Sequence, residues 1–413
     1  MRTAARIIGL GLGLAACGDP GDRPLDAPVV SSPDGDLVGH DAAPRDATLP
    51  PASRWVLGYY VGYQIDALPI AAIDWSSLTD IAFAPMVVTA DLSLDLTFDD
   101  SHGAGVADAQ ALATAAHAHG VHALLLLGGA NAGANIATAA APANRAAFVT
   151  ELLGALDQLG YDGIDLDWED SVDLDELVAL AQDLRAARPT MELTYPAYPI
   201  NSNFQVVDPR MVDLAFALDQ FNVQTYFPAV AETGDGWSSW FVSPLSGSTA
   251  TTPVAIDDTL ARYAAAGIPK AKLGMGTAFY AICYTGGITG PRQPTTTANK
   301  ITGGDNEFPL SAFYAPGGAV ATHAAASQRD GTTREPFLEL TAPITEAHCG
   351  PDPTSYISYE DETSLADKGA FAKANGYGGI IVWTLAEGTL GATATGGRTP
   401  NALIHALHAA FAE

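Results

Sequence analysis

The sequence predicts an α/β chain closed into a (β/α)8 barrel, the TIM barrel, and three observations carry that expectation. From Trp55 onward, short apolar runs alternate with amphipathic segments, the pattern of parallel strands joined by crossover helices. Eight such runs occur before the C-terminus. The 413 residues suffice for one large core, and barrels commonly form a single domain of this size.

Residues 1–16 precede the barrel as a targeting segment. Arg2 and Arg6 supply its positive charge, and Ile7 to Ala16 a short apolar core. Leu14-Ala15-Ala16-Cys17 resembles a bacterial lipoprotein cleavage site, which would make Cys17 the lipidated first residue of the mature protein. The alternative is an ordinary secretory signal with an incidental cysteine. The expected location is the cell envelope, facing the periplasm or the cell surface, with the membrane engaged through Cys17. Residues 17–54 change to Pro, Asp, Ala and Gly and lose all apolar periodicity. They read as a disordered, partly extended tether.

The barrel strands then follow in order. Trp55 to Tyr63, Leu78 to Val88 and Val121 to Gly129 are the first three, and the acidic stretch Asp162 to Glu169 is the fourth. Met191 to Pro196, Phe221 to Phe227, Lys272 to Tyr280 and Gly379 to Leu385 complete the eight. The helix before the fourth strand is the clearest, from Ala143 to Leu159. Phe148, Leu152, Leu156 and Leu159 recur there at helical spacing, and Gly160 stops it. Further helices are expected at Asp173 to Arg188, Asp257 to Ala266, Ser364 to Asn375 and Pro400 to Ala412.

Between strand seven and the last helix of the ring, Ala281 to Ser355 is rich in Gly, Thr and Pro. A structureless loop of that length is improbable in a compact domain. Cys283 and Cys349 lie at its two ends, and export would place them in an oxidising compartment. A disulfide pinning the region at its base is expected; two buried thiols are the alternative.

Charge narrows the function. A net charge of -28 argues against nucleic acid, whose phosphates call for Lys and Arg, and against adsorption to anionic lipid. A neutral polymer such as a polysaccharide is compatible with it. No cofactor is implied, and a monomer is expected. His117, His119 and His122 match no familiar metal-binding spacing and read as a solvated helix end. Asp170, Asp173, Asp175 and Glu176 read as the cap and first turn of the next helix, so no metal site is assigned.

The chemistry concentrates in Asp162-Gly163-Ile164-Asp165-Leu166-Asp167-Trp168-Glu169. Alternate side chains of a strand share a face, so Asp165, Asp167 and Glu169 point one way and Ile164, Leu166 and Trp168 the other. An unpaired buried carboxylate is very costly. Three on one face, ending at the strand's C-terminal end, are better explained as an active site. The alternative is an acidic strand end or a set of carboxylates around a divalent cation.

This segment resembles the Asp-Gly-x-Asp-x-Asp-x-Glu strand of glycoside hydrolase family 18, the chitinases and their relatives. Other segments resemble the family in the same order along the chain. They are Asn144 to Phe148, Trp237-Ser238-Ser239-Trp240, Ala266 to Pro269, Lys272 to Gly276, Tyr359 to Ser364 and Gly378 to Trp383. The resemblance implies a TIM barrel and assigns Ala281 to Ser355 to a small α+β insertion walling the cleft.

Asp167 and Glu169 lie about 7 Å apart along one strand. Two acids so placed cannot easily straddle a sugar ring, as a protein nucleophile and its acid partner must. The resemblance implies that the substrate's own 2-acetamido carbonyl stabilises the anomeric centre. It implies that Glu169 is the general acid and base, that Asp167 orients the acetamido group, and that Asp165 shares a proton with Asp167. Neighbouring carboxylates are expected to raise the Glu169 pKa. Tyr226 would support the acetamido group and Trp383 would floor the reacting sugar. Tyr60, Gln224, Trp237 and Trp240 are further expected substrate contacts.

Two positions depart from the family pattern. Leu126 stands where Ser-x-Gly-Gly has its hydroxyl, and Phe227 stands where a sugar-binding carboxylate is common. The expected activity is retaining, substrate-assisted hydrolysis of β-1,4-linked N-acetylglucosamine glycans. The alternatives are an endo-β-N-acetylglucosaminidase acting on N-glycans and a chitin-binding lectin.

Overall fold

The computed structural model describes residues 54–412, apart from 204–205, 227–232, 235, 304–307, 392 and 395. The expected targeting segment, Cys17, nearly all of the tether and Phe227 lie outside the described residues. Arg54, the last tether residue, donates from Nη1 to the Phe411 carbonyl at 3.1 Å and covers the Phe411 ring. No helix among the described residues is long and apolar enough to cross a membrane.

Eight parallel strands form a closed ring. They are β1 Trp55–Val61, β2 Asp80–Val88, β3 His122–Gly128, β4 Gly163–Asp167, β5 Glu192–Ala197, β6 Gln220–Val223, β7 Leu273–Ala278 and β8 Gly379–Trp383. Each pairs with its neighbours in sequence order, and β1 closes the ring by pairing with both β8 and β2. Strand alternation sorts the side chains into two cores. Trp55, Leu57, Tyr59, Leu124, Leu126 and Ile381 pack inside the ring. Val56, Tyr60, Phe83, Leu125, Leu127, Ile164, Leu166 and Trp168 pack outward against the helices. The Trp55 ring lies so close to Gly379 that a Cβ there would sit 1.9 Å from it, which explains a glycine at the start of β8.

The helices start and stop where local chemistry requires. Helix Arg145–Leu159 ends at Gly160, whose φ of 77° is the left-handed conformation that favours glycine. Asp173 caps helix Leu174–Ala187 by accepting from the Asp175 and Glu176 amides. Asp361 and Ser364 form a reciprocal capping box at the start of Glu362–Asn375. Helices Gly133–Ala140 and Pro209–Ala217 were not legible from the sequence: the first is half alanine and only 8 residues long.

The region between β7 and β8 folds into an antiparallel five-stranded sheet with two short helices. Its strands run in the spatial order Ile301–Gly303, Ile282–Thr285, Thr354–Ser358, Pro336–Ile344 and Ser327–Arg329. Cys283 and Cys349 form a disulfide with their Cα atoms 5.7 Å apart.

A buried ion triad joins the insertion to the ring. Lys368, on helix Glu362–Asn375, lies 3.0 Å from Glu335 Oε1 and in direct contact with Glu360 Oε1. All three side chains are fully buried. Ser358 and the Ser243 amide also donate to Glu335. Burial holds the Glu335 carboxyl well above the usual range against the pull of Lys368. Burial opposes the Lys368 charge as well, but the two carboxylates outweigh it and keep the ammonium protonated.

Candidate active site

The three acids stand at the C-terminal end of β4, on the barrel face where βα loops gather. Asp165 is fully buried inside the ring. The Tyr59 hydroxyl donates to its Oδ2 at 2.8 Å, and the Thr194 hydroxyl donates to its Oδ1. Asp167 sits one step higher and is also buried. Glu169 lies just past the strand, partly open to solvent. The Gln224 amide clamps the upper acids, with Nε2 donating to Glu169 Oε1 at 3.0 Å and reaching Asp167 Oδ1 and the Pro196 carbonyl at 3.4 Å each.

Backbone packing fixes this height. The Gly129 amide donates to the Asp167 carbonyl at 2.8 Å. Gly128 has a φ of 114°, and a Cβ there would meet the same carbonyl oxygen at 2.3 Å, so β3 can pass only as glycine. Trp168 points outward, is buried, and donates from Nε1 to the Asp170 carbonyl at 2.9 Å. The chain leaves β4 after Asp167, yet the outward Trp168 keeps Glu169 on the inner side.

Aromatic rings complete the mouth. The Trp383 ring at the end of β8 is partly exposed and lies 5.0 Å from the Tyr59 ring. Tyr226 follows β6 and packs edge-on to Tyr280 at 6.4 Å. A Cβ on Gly276 would come within 2.6 Å of the Tyr226 ring, so that glycine makes its room.

Burial dominates the electrostatics. It pushes Asp165 up to about 6, against the Thr194 and Tyr59 hydrogen bonds. Asp167 is held well above the usual carboxylate range by burial, and next by the charges of Glu169 and Asp165. Glu169 is raised by burial first, with Gln224 opposing and Asp170 adding. The neighbouring-charge explanation for Glu169 is therefore secondary to desolvation. Tyr59 and Tyr226 are also held well above their usual range by burial, so both remain neutral hydroxyl donors. The site thus offers three carboxyl groups along one side of β4, all raised by burial, and an aromatic wall. That set can deliver a proton to a leaving group and stabilise a nearby cation.

Two expected contacts are corrected. Tyr60 faces outward, donates its hydroxyl to the Leu68 carbonyl at 2.7 Å and packs on Phe83. Its neighbour Tyr59 is the tyrosine inside the ring, because adjacent strand residues point to opposite faces. Trp240 is 1% exposed, donates from Nε1 to the Val254 carbonyl and packs beneath Arg292. It is core and cannot stack on a sugar. Trp237 is partly exposed in the same loop.

Leu126 points into the ring opposite Asp165 in register. The hydroxyl it lacks is supplied across the other edge of β4 by Thr194 on β5. Both Asp165 oxygens accept a hydroxyl hydrogen bond, from Tyr59 and Thr194. The three histidines go separate ways. His117 pairs with Asp162, His119 stacks on Trp75, and His122 lies 2.7 Å from Glu192 and 3.5 Å from Asp80. Sequence reasoning missed Tyr59, Thr194 and Tyr198. Strand parity counted from Trp55 could have found Tyr59; no local pattern marks the other two.

The family model for glycosyl hydrolases family 18 matches residues 55–388. A chitinase-like effector of Moniliophthora perniciosa is 24% identical over 371 residues, spanning 79% of this chain and 82% of the relative. A probable endochitinase of Caenorhabditis elegans is 27% identical over 278 residues, 60% of this chain and 40% of the relative. Among solved structures, the Group IV chitinase of Ostrinia furnacalis superimposes with a TM-score of 0.68 at 18% identity, covering 87% of this chain and 100% of that one. A mutant class V chitinase of Nicotiana tobaccum in complex with NAG4 gives a TM-score of 0.68 at 17% identity, covering 87% and 99%.

Proposed function

Because the chain belongs to glycosyl hydrolases family 18, we propose that it hydrolyses β-1,4-linked N-acetylglucosamine glycans, chitin or chitooligosaccharides, by a retaining, substrate-assisted mechanism. One observation carries the reading. A carboxyl raised by burial, Glu169, stands at the mouth directly above two buried carboxylates on the same strand. Glu169 gives its proton to the glycosidic oxygen, and the acetamido carbonyl oxygen closes on the anomeric carbon as that bond breaks. Asp167 accepts the acetamido N–H and faces the positive charge of the cyclic oxazolinium. Asp165 takes up proton density from Asp167 while Tyr59 and Thr194 hold it in place. Tyr226 supports the acetamido oxygen, and Trp383 floors the ring. Glu169, now ionised, removes a proton from water as that water opens the oxazolinium from the β face.

Chitotetraose digestion followed by proton NMR tests this mechanism. The first product released should be the β anomer, and a thiazoline mimic of the oxazolinium should inhibit. Efficient cleavage of a plain glucose polymer, or a sugar trapped covalently on any carboxylate, would overturn it.

The second reading is a chitin-binding protein without turnover, against which the presence of Glu169 counts. Saturable chitotetraose binding with no product would support that reading. A high-mannose glycopeptide in the same assay separates endo-β-N-acetylglucosaminidase action. We further propose lipidation at Cys17. A clickable fatty acid should label the wild type and not Cys17→Ala, and an unlabelled wild type from a lipoprotein-competent bacterium would refute the anchor.

A further inference from the structure

Three large apolar side chains are exposed among the described residues: Tyr198, Val206 and Phe216. Tyr198 alone of these stands immediately past the end of a barrel strand, β5, on the face that carries the acids. The residue is 41% exposed. Its backbone is nevertheless fixed: its carbonyl accepts the Tyr263 hydroxyl at 2.7 Å, and the preceding Ala197 carbonyl accepts the Gln224 amide at 2.8 Å. The Gln224 side chain reaches both the Pro196 carbonyl and Glu169, tying the end of β5 to the general acid. Burial raises the Tyr198 phenol first, and the charges of Glu169, Asp167 and Asp170 raise it further. A rigid, half-exposed aromatic beside a proton donor is a stacking surface rather than a packing element.

Ring order gives the direction. β8, which carries Trp383, lies four places from β4 around the closed sheet, whereas β5 is adjacent to β4. Glu169 therefore has Trp383 across the mouth and Tyr198 at its side. We infer that Tyr198 is the platform for the sugar ring on the leaving-group side of the scissile bond, so that the glycan runs from Trp383 across Glu169 to Tyr198. This rests on the glycosidase reading above and adds a specificity residue and a chain direction to it. Its consequence is a preference for substrates that extend at least one sugar beyond the cleaved bond.

The test compares chitotetraose with β-chitobiosyl fluoride, whose leaving group is one atom and cannot reach Tyr198. Tyr198→Ala should lower the ratio of kcat/KM for chitotetraose to that for the fluoride about tenfold, chiefly through KM. Tyr198→Phe keeps the ring and should restore the wild-type ratio. An unchanged ratio in Tyr198→Ala, with the wild type active on both substrates, would overturn the platform alone. A change in both substrates by the same factor would do so too, because it marks a structural role. A wild type inactive on both substrates would overturn the glycosidase reading and this inference with it.

Discussion

Replacing Tyr59 with Phe removes one hydroxyl from the buried acids and leaves the ring that packs on Trp383 at 5.0 Å. The lost bond is the 2.8 Å donation to Asp165 Oδ2. A hydrogen bond to a charged group contributes about 1.5–3 kcal/mol, against about 1 kcal/mol to a neutral one. Asp165 titrates near 6 in the fold, against 3.8 for an unperturbed Asp. Its folded pKa is raised, so its stabilising contribution is full below about 4. That contribution is lost as pH rises through about 6. Without the Tyr59 donor the folded-state midpoint should move up by roughly one to one and a half pH units, and the loss continues over that added span. The difference in unfolding free energy between wild type and Tyr59→Phe should therefore be about 1 kcal/mol at pH 4.5 and about 2.5–3 kcal/mol at pH 8.5. Urea unfolding of both proteins across that range measures it. A difference that stays flat with pH would show that Tyr59 does not act on the ionised form of Asp165.

Other sites give separate predictions. The Cys283–Cys349 disulfide spans 66 residues, so removing it with Cys283→Ser and Cys349→Ser should cost about 4 kcal/mol, read as a lower urea midpoint. An unchanged midpoint would mean that the insertion is held by its other contacts. Lys368→Met leaves Glu335 and Glu360 buried without their cation and should destabilise by about 3–5 kcal/mol. A loss under 1 kcal/mol would show that both acids are neutral in the fold.

The barrel and its acids were legible because they are written in short periods. Alternation over Ile164 to Glu169 placed three acids on one face, and Gly160 marked where the preceding helix stops. The insertion was harder, because Ile282–Thr285, Ile301–Gly303 and Ser327–Arg329 are strands too short to show a period. Long-range partners were not legible at all. Thr194 meets Asp165 only because β5 lies beside β4, and Tyr198 reaches the mouth only because β5 ends there. Tyr59 and Tyr60 are adjacent on one strand and differ only in face, so only the parity of β1 separates the inner ring from the outer one. Trp240 shares a Trp-rich loop with Trp237, and only the closed fold shows that loop's second tryptophan buried.

The proposed hydrolysis depends on Glu169 as proton donor and then acceptor. Glu169→Gln keeps the side-chain shape and can still meet Gln224, while it removes the titrating group. Chitotetraose turnover and calorimetric binding, measured on wild type and Glu169→Gln together, test that role most directly. In Glu169→Gln, kcat should fall by about 10²–10⁴-fold while the Kd for chitotetraose stays within a few-fold of wild type. Near-normal turnover by Glu169→Gln would contradict it.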